Sequence, residues 1–178
     1  MRKSLRLPEY DYSMVGGYFV ALVTYERKAL FGRIVAGEMR LNEIGQIVRG
    51  EWLRTPVLRP NVVLDEFVLM PNHLHGILFI QEVGADRRPP AESGHPKRAH
   101  VGAPLRRGSG VLGSIIAGFK SAATKRINQH RATPRKPVWQ RNYYDRIIRD
   151  QSELDRLREY IFYNPTTWAD DDENPDRS

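Results

Sequence analysis

The sequence predicts an α+β fold in which one antiparallel sheet is covered on one face by helices. Its elements follow the order strand, hairpin, helix, strand, strand, helix, strand, helix. Pro71-Asn72 marks a tight connection between two adjacent strands. The helices are amphipathic, as expected for helices that pack on a sheet. This order is broadly ferredoxin-like, and the 178 residues are enough for one such domain with a sizeable core.

The first half of the chain contains a strand, a hairpin and a helix. Residues 18–25 are rich in aromatic and β-branched residues, which is typical of a buried strand. Arg33–Leu41 has the pattern of a small hairpin. Asn42 is a good N-cap for the helix that follows, in which apolar residues recur at helical spacing. We expect Pro56 and Pro60 to end this helix.

Two strands, a loop and a long helix come next. Val62–Met70 and His73–Ile80 are apolar on both faces, as expected of central strands. Residues 82–110 are rich in Pro, Gly, Ala and Arg, and this composition predicts a flexible basic loop. A strong apolar stripe then begins at Val111 and predicts an amphipathic helix.

The final part is predicted to be a strand followed by a helix. Residues 138–148 have an extended pattern. Asp150 can cap the last helix, with Glu153 three positions later as its capping-box partner. The helix is expected to end near Asn164, because Pro165 follows.

The charge is unevenly distributed. The whole chain has 28 Lys+Arg and 21 Asp+Glu, a net charge of +7, whereas residues 170–178 contain five acidic side chains and one arginine. Residues 1–169 therefore carry +11, which is typical of a protein with a polyanionic partner such as nucleic acid, and the alternative from charge alone is a basic protein without such a partner. The acidic residues at 170–178 predict a disordered tail.

Composition also excludes several classes of protein. The sequence has no cysteine, so it can form neither disulfides nor zinc–thiolate sites, and this suits a reducing cytoplasm. Its apolar runs are too short to span a membrane, so we expect no membrane partner. Charged and polar residues follow Met1, which argues against a signal peptide.

His73 and His75 are the first candidate functional residues. In a strand, residues two apart point to the same face, so two imidazoles at this spacing can hold one divalent metal ion. The alternative is two unrelated histidines at a junction between a turn and a strand. Metal binding is favoured because the pair begins a strongly apolar strand, where burying two polar rings is costly unless they have a partner.

Tyr160 and Asn164 are the second pair of candidates. They lie one turn apart on the same edge of the last helix, and both could face a site on the sheet. Tyr163 is predicted to point to solvent. The alternative for Tyr160 is a boundary aromatic residue with its hydroxyl in water.

These residues lie in motifs that resemble a known family. Phe67–Ile77, FVLMPNHLHGI, looks like the His-hydrophobic-His strand of the HUH single-stranded-DNA transposases. Residues 139–149, WQRNYYDRIIR, followed by Tyr160-Ile-x-x-Asn-Pro, look specifically like the REP-associated tyrosine transposases. The resemblance covers roughly residues 5–168.

The resemblance implies an enzyme and assigns roles to its residues. Residues 1–169 would form the HUH catalytic domain. Tyr160 would be the catalytic nucleophile, and His73, His75 and Asn164 would bind Mg²⁺ or Mn²⁺. Such an enzyme cleaves and rejoins single-stranded DNA next to hairpin sequences, through a 5′-phosphotyrosine intermediate.

The implied partner is single-stranded or hairpin DNA, bound by a monomer or a homodimer, in a bacterial cytoplasmic protein associated with the nucleoid. Basic side chains would bind its phosphates. The candidates for this DNA binding are Lys120, Lys125, Arg126, Arg141, Arg146 and Arg149.

Three other functions stay open at the level of sequence. A replication initiator or relaxase shares the chemistry but usually carries longer partner domains. A non-catalytic nucleic-acid-binding module would display exposed aromatics on its sheet, and here Phe67 and Phe79 flank the histidines instead. A metal-dependent hydrolase would need added carboxylates, for which Asp65 and Glu66 are the nearby candidates.

Overall fold

The centre of the fold is a four-stranded antiparallel sheet. The computed structural model describes residues 15–82 and 111–175. Its strands are β1 (Gly16–Val23), β2 (Gly32–Val35), β3 (Glu38–Leu41), β4 (Val62–Leu69), β5 (His73–Ile80) and β6 (Tyr144–Ile148). The central sheet has the order β4-β5-β1-β6, and β2 and β3 form the predicted hairpin beside it.

Four α-helices accompany the strands in the described ranges. They are α1 (Glu43–Leu53), α2 (Thr55–Leu58), α3 (Val111–His130) and α4 (Gln151–Tyr163). With α1 lying between β1 and β4 in the chain, and α3 between β5 and β6, the sheet has the order and connections of a ferredoxin-like domain. The predicted fold class is confirmed.

The helices lie on both faces of the sheet. Tyr18 of β1 packs in a cluster with Trp52 of α1 and residues of α3, whereas its neighbour Phe19 packs with Leu154 and Ile161 of α4. Adjacent strand residues point to opposite faces, so α4 covers the face that α1 and α3 leave open. The sequence predicted that the helices cover one face of the sheet. This is correct for α1 and α3, which share a face, but α4 covers the other face. Because the central strands are apolar on both faces, the second face needs a helix as well.

The predicted helix caps are present. Asn42 Oδ1 accepts a hydrogen bond from the Gly45 amide at 2.9 Å. Asp150 Oδ1 accepts one from the Glu153 amide at 2.8 Å, and the Glu153 carboxylate accepts one from the Arg149 amide at 3.0 Å. The amides of Gly45 and Glu153 are donors that the first turn of a helix leaves unpaired, whereas Arg149 precedes the N-cap of its helix.

The end of α1 differs slightly from the prediction. The helix stops at Leu53, and Pro56 lies in the first turn of the short helix α2. Proline is tolerated there because its missing amide hydrogen would have no partner in any case. Pro60 follows the end of α2. Pro56 therefore lies at the start of a second helix, and Pro60 lies just after its end.

The start of the acidic tail is packed against the domain. After a 3₁₀ turn at Trp168–Asp170, the Glu173 carbonyl accepts a hydrogen bond from Asn72 at 2.6 Å, and its carboxylate pairs with Arg27 at 3.1 Å. The predicted disorder therefore does not describe residues 170–175, because their negative charge finds partners far away in the sequence. Residues 176–178 lie outside the described residues, as does the predicted loop from residue 83 onwards. No helix in the described ranges is long and apolar enough to cross a membrane.

Candidate active site

The two histidines lie side by side on the face of the sheet that α4 covers. In β5, His73 lies opposite Val23 of β1, and His75 lies opposite Ala21. Their ring centroids are 4.4 Å apart, and the ring of His75 stacks on Phe19 at 5.4 Å. Both side chains are buried. The structure thus brings His73 and His75 together, as the spacing predicts.

Asn72 determines which nitrogen of His73 carries the proton. The Asn72 side-chain nitrogen donates to the carbonyls of Arg27 at 3.0 Å and Glu173 at 2.6 Å, so its oxygen faces His73. That oxygen lies 2.9 Å from His73 Nδ1 and accepts a hydrogen bond from it. Nε2 of His73 therefore carries the lone pair. Histidines that bind metals are commonly oriented in this way by a partner on the other ring nitrogen.

Three buried polar atoms around the histidines have no hydrogen-bond partner among the residues that the structure describes. They are Nε2 of His73, Nδ1 of His75 and Oδ1 of Asn164. Buried polar atoms nearly always have partners, so three such atoms at one place indicate a site that can bind a ligand. Nitrogen and oxygen donors of this kind fit a divalent cation.

Burial keeps both imidazoles neutral. It lowers the pKa of His73 from 6.5 to about 4, against the opposing influence of the Asp171 carboxylate and the Asn164 side chain. Burial also lowers the pKa of His75 well below its ordinary value, and the charge of His73 adds to this effect. A neutral ring is the form that binds a metal ion, so both are ready to do so at neutral pH.

Tyr160 reaches the histidines from α4. Arg158 fixes this helix to β4 by donating to both oxygens of Asp65, at 3.0 and 2.6 Å. The Tyr160 hydroxyl then lies 3.3 Å from Nε2 of His75, while 45% of the residue stays exposed to solvent. Tyr163 is 51% exposed, in agreement with its predicted direction. The phenol of Tyr160 is therefore near the imidazoles of the same chain, and part of the residue is exposed to solvent.

Asn164 lies beside the histidines despite the proline that follows it. Its backbone is helical, with φ −55° and ψ −42°, although residues before proline usually avoid this region. Its side chain is buried, and its nitrogen donates to Oδ2 of Asp171 at 3.3 Å. The site thus includes all four of the residues proposed from the sequence: His73, His75, Tyr160 and Asn164.

Asp171 is a member of the site that the sequence analysis missed. One ring nitrogen of His73, one of His75 and one carboxylate oxygen of Asp171 all lie within 4.8 Å of one another. This cluster can hold a metal ion. No local spacing signals it, because Asp171 lies among the acidic residues that predicted a disordered tail.

Lys120 serves the structure of the domain. Its ammonium group donates to the carbonyls of Gln140, Arg141 and Asn142, at 2.7, 3.3 and 3.4 Å. Partial burial lowers its pKa to about 8. Lys120 therefore ties α3 to the segment that leads into β6, and these contacts compete with its predicted binding of phosphate.

Two of the predicted arginines are also paired within the chain. Arg126 lies 2.7 Å from the buried carboxylate of Glu51, and Arg146 pairs with the buried carboxylate of Glu153. Such buried carboxylates need a partner, since an unpaired buried charge is costly. The other predicted DNA-binding residues are exposed: Lys125, Arg141 and Arg149.

The structure weakens two of the alternative functions. The carboxylate of Asp65 is held by Arg158, which lowers its pKa, and it is not part of the metal-capable cluster among the described residues. Phe67 and Phe79 pack in clusters on opposite faces of the sheet, so they do not form one stacking surface for bases.

We expect the metal-free protein to lose stability as the pH falls from about 6.5 to about 4. In this range the unfolded chain binds a proton at residue 73 that the folded chain excludes, so acid favours unfolding. The loss amounts to roughly 3 kcal/mol for His73. Urea unfolding at several pH values measures it, with His73→Gln as the comparison. An equally steep pH dependence in this variant would contradict the prediction.

Comparison with known proteins finds similarity both in sequence and in structure. No protein-family model matches the chain. It is 37% identical over 171 residues to an uncharacterized protein of Haemophilus influenzae, a match that covers 96% of this chain and 91% of that protein. A structure of a REP-associated tyrosine transposase bound to a REP hairpin has a TM-score of 0.58 and 18% identity, over 94% of this chain and 74% of that one. A candidate transposase from Deinococcus radiodurans has a TM-score of 0.47 and 14% identity, over 91% and 96% of the two chains.

Proposed function

The chain belongs to the same family as the Haemophilus influenzae protein and has the fold of the REP-associated tyrosine transposase, and on this premise we propose that it is a metal-dependent DNA strand transferase. It would cleave and rejoin single-stranded DNA next to a hairpin, through a 5′-phosphotyrosine intermediate. The observation that carries the proposal is the Tyr160 hydroxyl, 3.3 Å from a histidine whose other ring nitrogen is buried without a partner.

The proposed reaction exchanges one phosphodiester for another. The phenolic oxygen of Tyr160 forms a bond to phosphorus, and the bond from phosphorus to the 3′ oxygen breaks. The proton of the phenol is returned, overall, to that 3′ oxygen. The covalent intermediate conserves the phosphodiester, so a 3′-hydroxyl can reverse the reaction on the same or another strand without an external energy source.

The residues around Tyr160 support this chemistry. His73, His75 and Asn164 would hold Mg²⁺ or Mn²⁺, which when bound would neutralise negative charge on the scissile phosphate. Nε2 of His75 faces the phenol oxygen, where a proton on that nitrogen favours the phenolate. Burial of both imidazoles keeps water away from the donors, while the exposed edge of Tyr160 leaves room for DNA.

The proposed partner is a single strand that adjoins a hairpin. The net positive charge of the domain attracts the phosphates, and the exposed side chains of Lys125, Arg141 and Arg149 are the proposed contacts. For Lys120, Arg126 and Arg146, DNA would compete with the contacts described above. Because one chain contains both the phenol and the imidazoles, a monomer would suffice for the proposed reaction, and a homodimer stays the alternative.

A covalent adduct with DNA is the expected result that tests this function. The purified chain is incubated with single-stranded oligonucleotides in which imperfect hairpins adjoin randomised sequence, labelled at the 3′ end because the enzyme would retain the 5′ phosphate. With Mn²⁺, denaturing electrophoresis should show label at the mass of the protein plus DNA, and EDTA should remove it.

The controls distinguish this activity from related ones. Matched oligonucleotides without a hairpin should give much less adduct, whereas a replication initiator or relaxase would depend on a linear nick sequence. Cleavage without a covalent adduct would indicate a hydrolase. Binding without cleavage, across the whole pool and with Mn²⁺ present, would contradict the proposal and favour a non-catalytic module.

A further inference from the structure

The chain returns to the histidines after the last helix. We call residues 168–174 the return segment. The ring of Trp168 lies 5.9 Å from the ring of His73, and the Asn174 side chain donates to the Trp168 carbonyl at 3.1 Å. Glu173 is held by Asn72 and Arg27, as described above. The segment is thus anchored on both sides of Asp171.

Asp171 points into the site and keeps acceptor capacity there. Its Oδ1 accepts a hydrogen bond from the Glu173 amide at 2.7 Å, and its Oδ2 accepts one from the Asn164 side chain at 3.3 Å. Each carboxylate oxygen has a second lone pair after these bonds. One of its oxygens lies within 4.8 Å of a ring nitrogen of both His73 and His75.

The surroundings of the Asp171 carboxylate fit a bound cation. The two hydrogen bonds to Asp171 described above come from uncharged amides. Buried lone-pair atoms without partners adjoin the same space. A carboxylate in this setting is a hard oxygen ligand next to two nitrogen ligands.

We propose that Asp171 is a ligand of the divalent ion together with His73 and His75, so that the return segment supplies part of the metal site. This inference deepens the proposed function, since it rests on a metal ion at the two histidines. The nitrogen of Asn164 orients the carboxylate, and its Oδ1 stays available to the same ion. Two nitrogens and a carboxylate oxygen suit Mn²⁺, and Mg²⁺ takes the same oxygen donors.

Mn²⁺ binding to the full chain without DNA tests this proposal. Electron paramagnetic resonance of free aqueous Mn²⁺ gives the dissociation constant directly and requires no activity. Asp171→Asn keeps the shape of the side chain and removes its charge, and we expect it to weaken Mn²⁺ binding by about tenfold or more. Asp171→Glu restores a carboxylate and should recover part of the affinity. Asp170→Asn, an exposed neighbour, is the matched control and should bind as the wild type does.

A purely structural role for Asp171 gives a different result. In that case Asp171→Asn would lower the melting temperature of the metal-free protein, through the lost contacts, and leave the Mn²⁺ dissociation constant unchanged. That outcome would overturn the proposal, as would equal binding by the Asn and Glu variants. If one of the two Asp171 variants fails to fold, the Mn²⁺-induced rise in melting temperature is measured for the other variant. A rise as large as that of the wild type would contradict the proposal.

His73→Gln separates failure of this inference from failure of the proposed function. If His73→Gln loses Mn²⁺ binding and Asp171→Asn does not, the histidine site stands and only the role of Asp171 is wrong. If the wild type does not bind Mn²⁺, the inference fails, and the covalent-adduct assay decides separately whether the proposed function survives.

Discussion

Tyr160→Phe should abolish the covalent adduct between protein and DNA, with a loss of roughly 10³-fold or more in cleavage rate. The variant lacks only the oxygen that would bond to phosphorus. Its ring still fits between Phe19 and His75, whose centroids lie 6.2 and 5.2 Å away. Binding of hairpin DNA and the free energy of unfolding should therefore stay close to the wild-type values. Electrophoresis of adducts and a filter-binding assay measure the two effects separately.

Tyr163→Phe is the matched control for this prediction. It removes a hydroxyl from the same helix, three residues away, at a position of similar exposure. This variant should form the adduct as the wild type does. Full cleavage by Tyr160→Phe, or loss of cleavage in Tyr163→Phe alone, would show that Tyr160 is not the nucleophile.

His73→Gln should remove both Mn²⁺ binding and adduct formation, each by about 100-fold or more. Glutamine offers a weaker amide-oxygen donor in place of the Nε2 lone pair, and it lacks the hydrogen bond between Nδ1 and Asn72 that orients the histidine ring. The same variant should unfold with a weaker pH dependence, because it has one fewer buried histidine that gains a proton on unfolding, although His75 remains. Mn²⁺ titration, the adduct assay and urea unfolding measure these three effects.

His130→Gln is the corresponding control. His130 ends α3 and pairs with the exposed carboxylate of Glu43 at 3.1 Å, away from the candidate site. We expect wild-type Mn²⁺ affinity and wild-type adduct formation. Equal losses in the two histidine variants would point to a general effect on folding and contradict a metal role for His73.

The basic residues show the limits of prediction from sequence. The sequence reveals how many cations the chain has, and the excess over carboxylates is real. It does not reveal that Glu51 and Glu153 are buried beside Arg126 and Arg146. Such pairs form between residues that the sheet and helices bring together, so composition cannot separate structural cations from those available to DNA.

The sequence by itself determined the parts that depend on local periodicity. Alternation along a strand places His73 and His75 on one face, and the helical repeat places Tyr160 and Asn164 on one edge. The caps at Asn42 and Asp150 follow from neighbouring residues in the same way.

Only the tertiary structure decided which of these local surfaces meet. The Tyr160 hydroxyl approaches a histidine 85 residues away, and Asn72 holds a carbonyl 101 residues away. These contacts also bring Asp171, which the sequence placed in a disordered tail, into the cluster with the histidines. The physical reason is that burial and pairing depend on distances in space, which the spacing of residues along the chain does not contain.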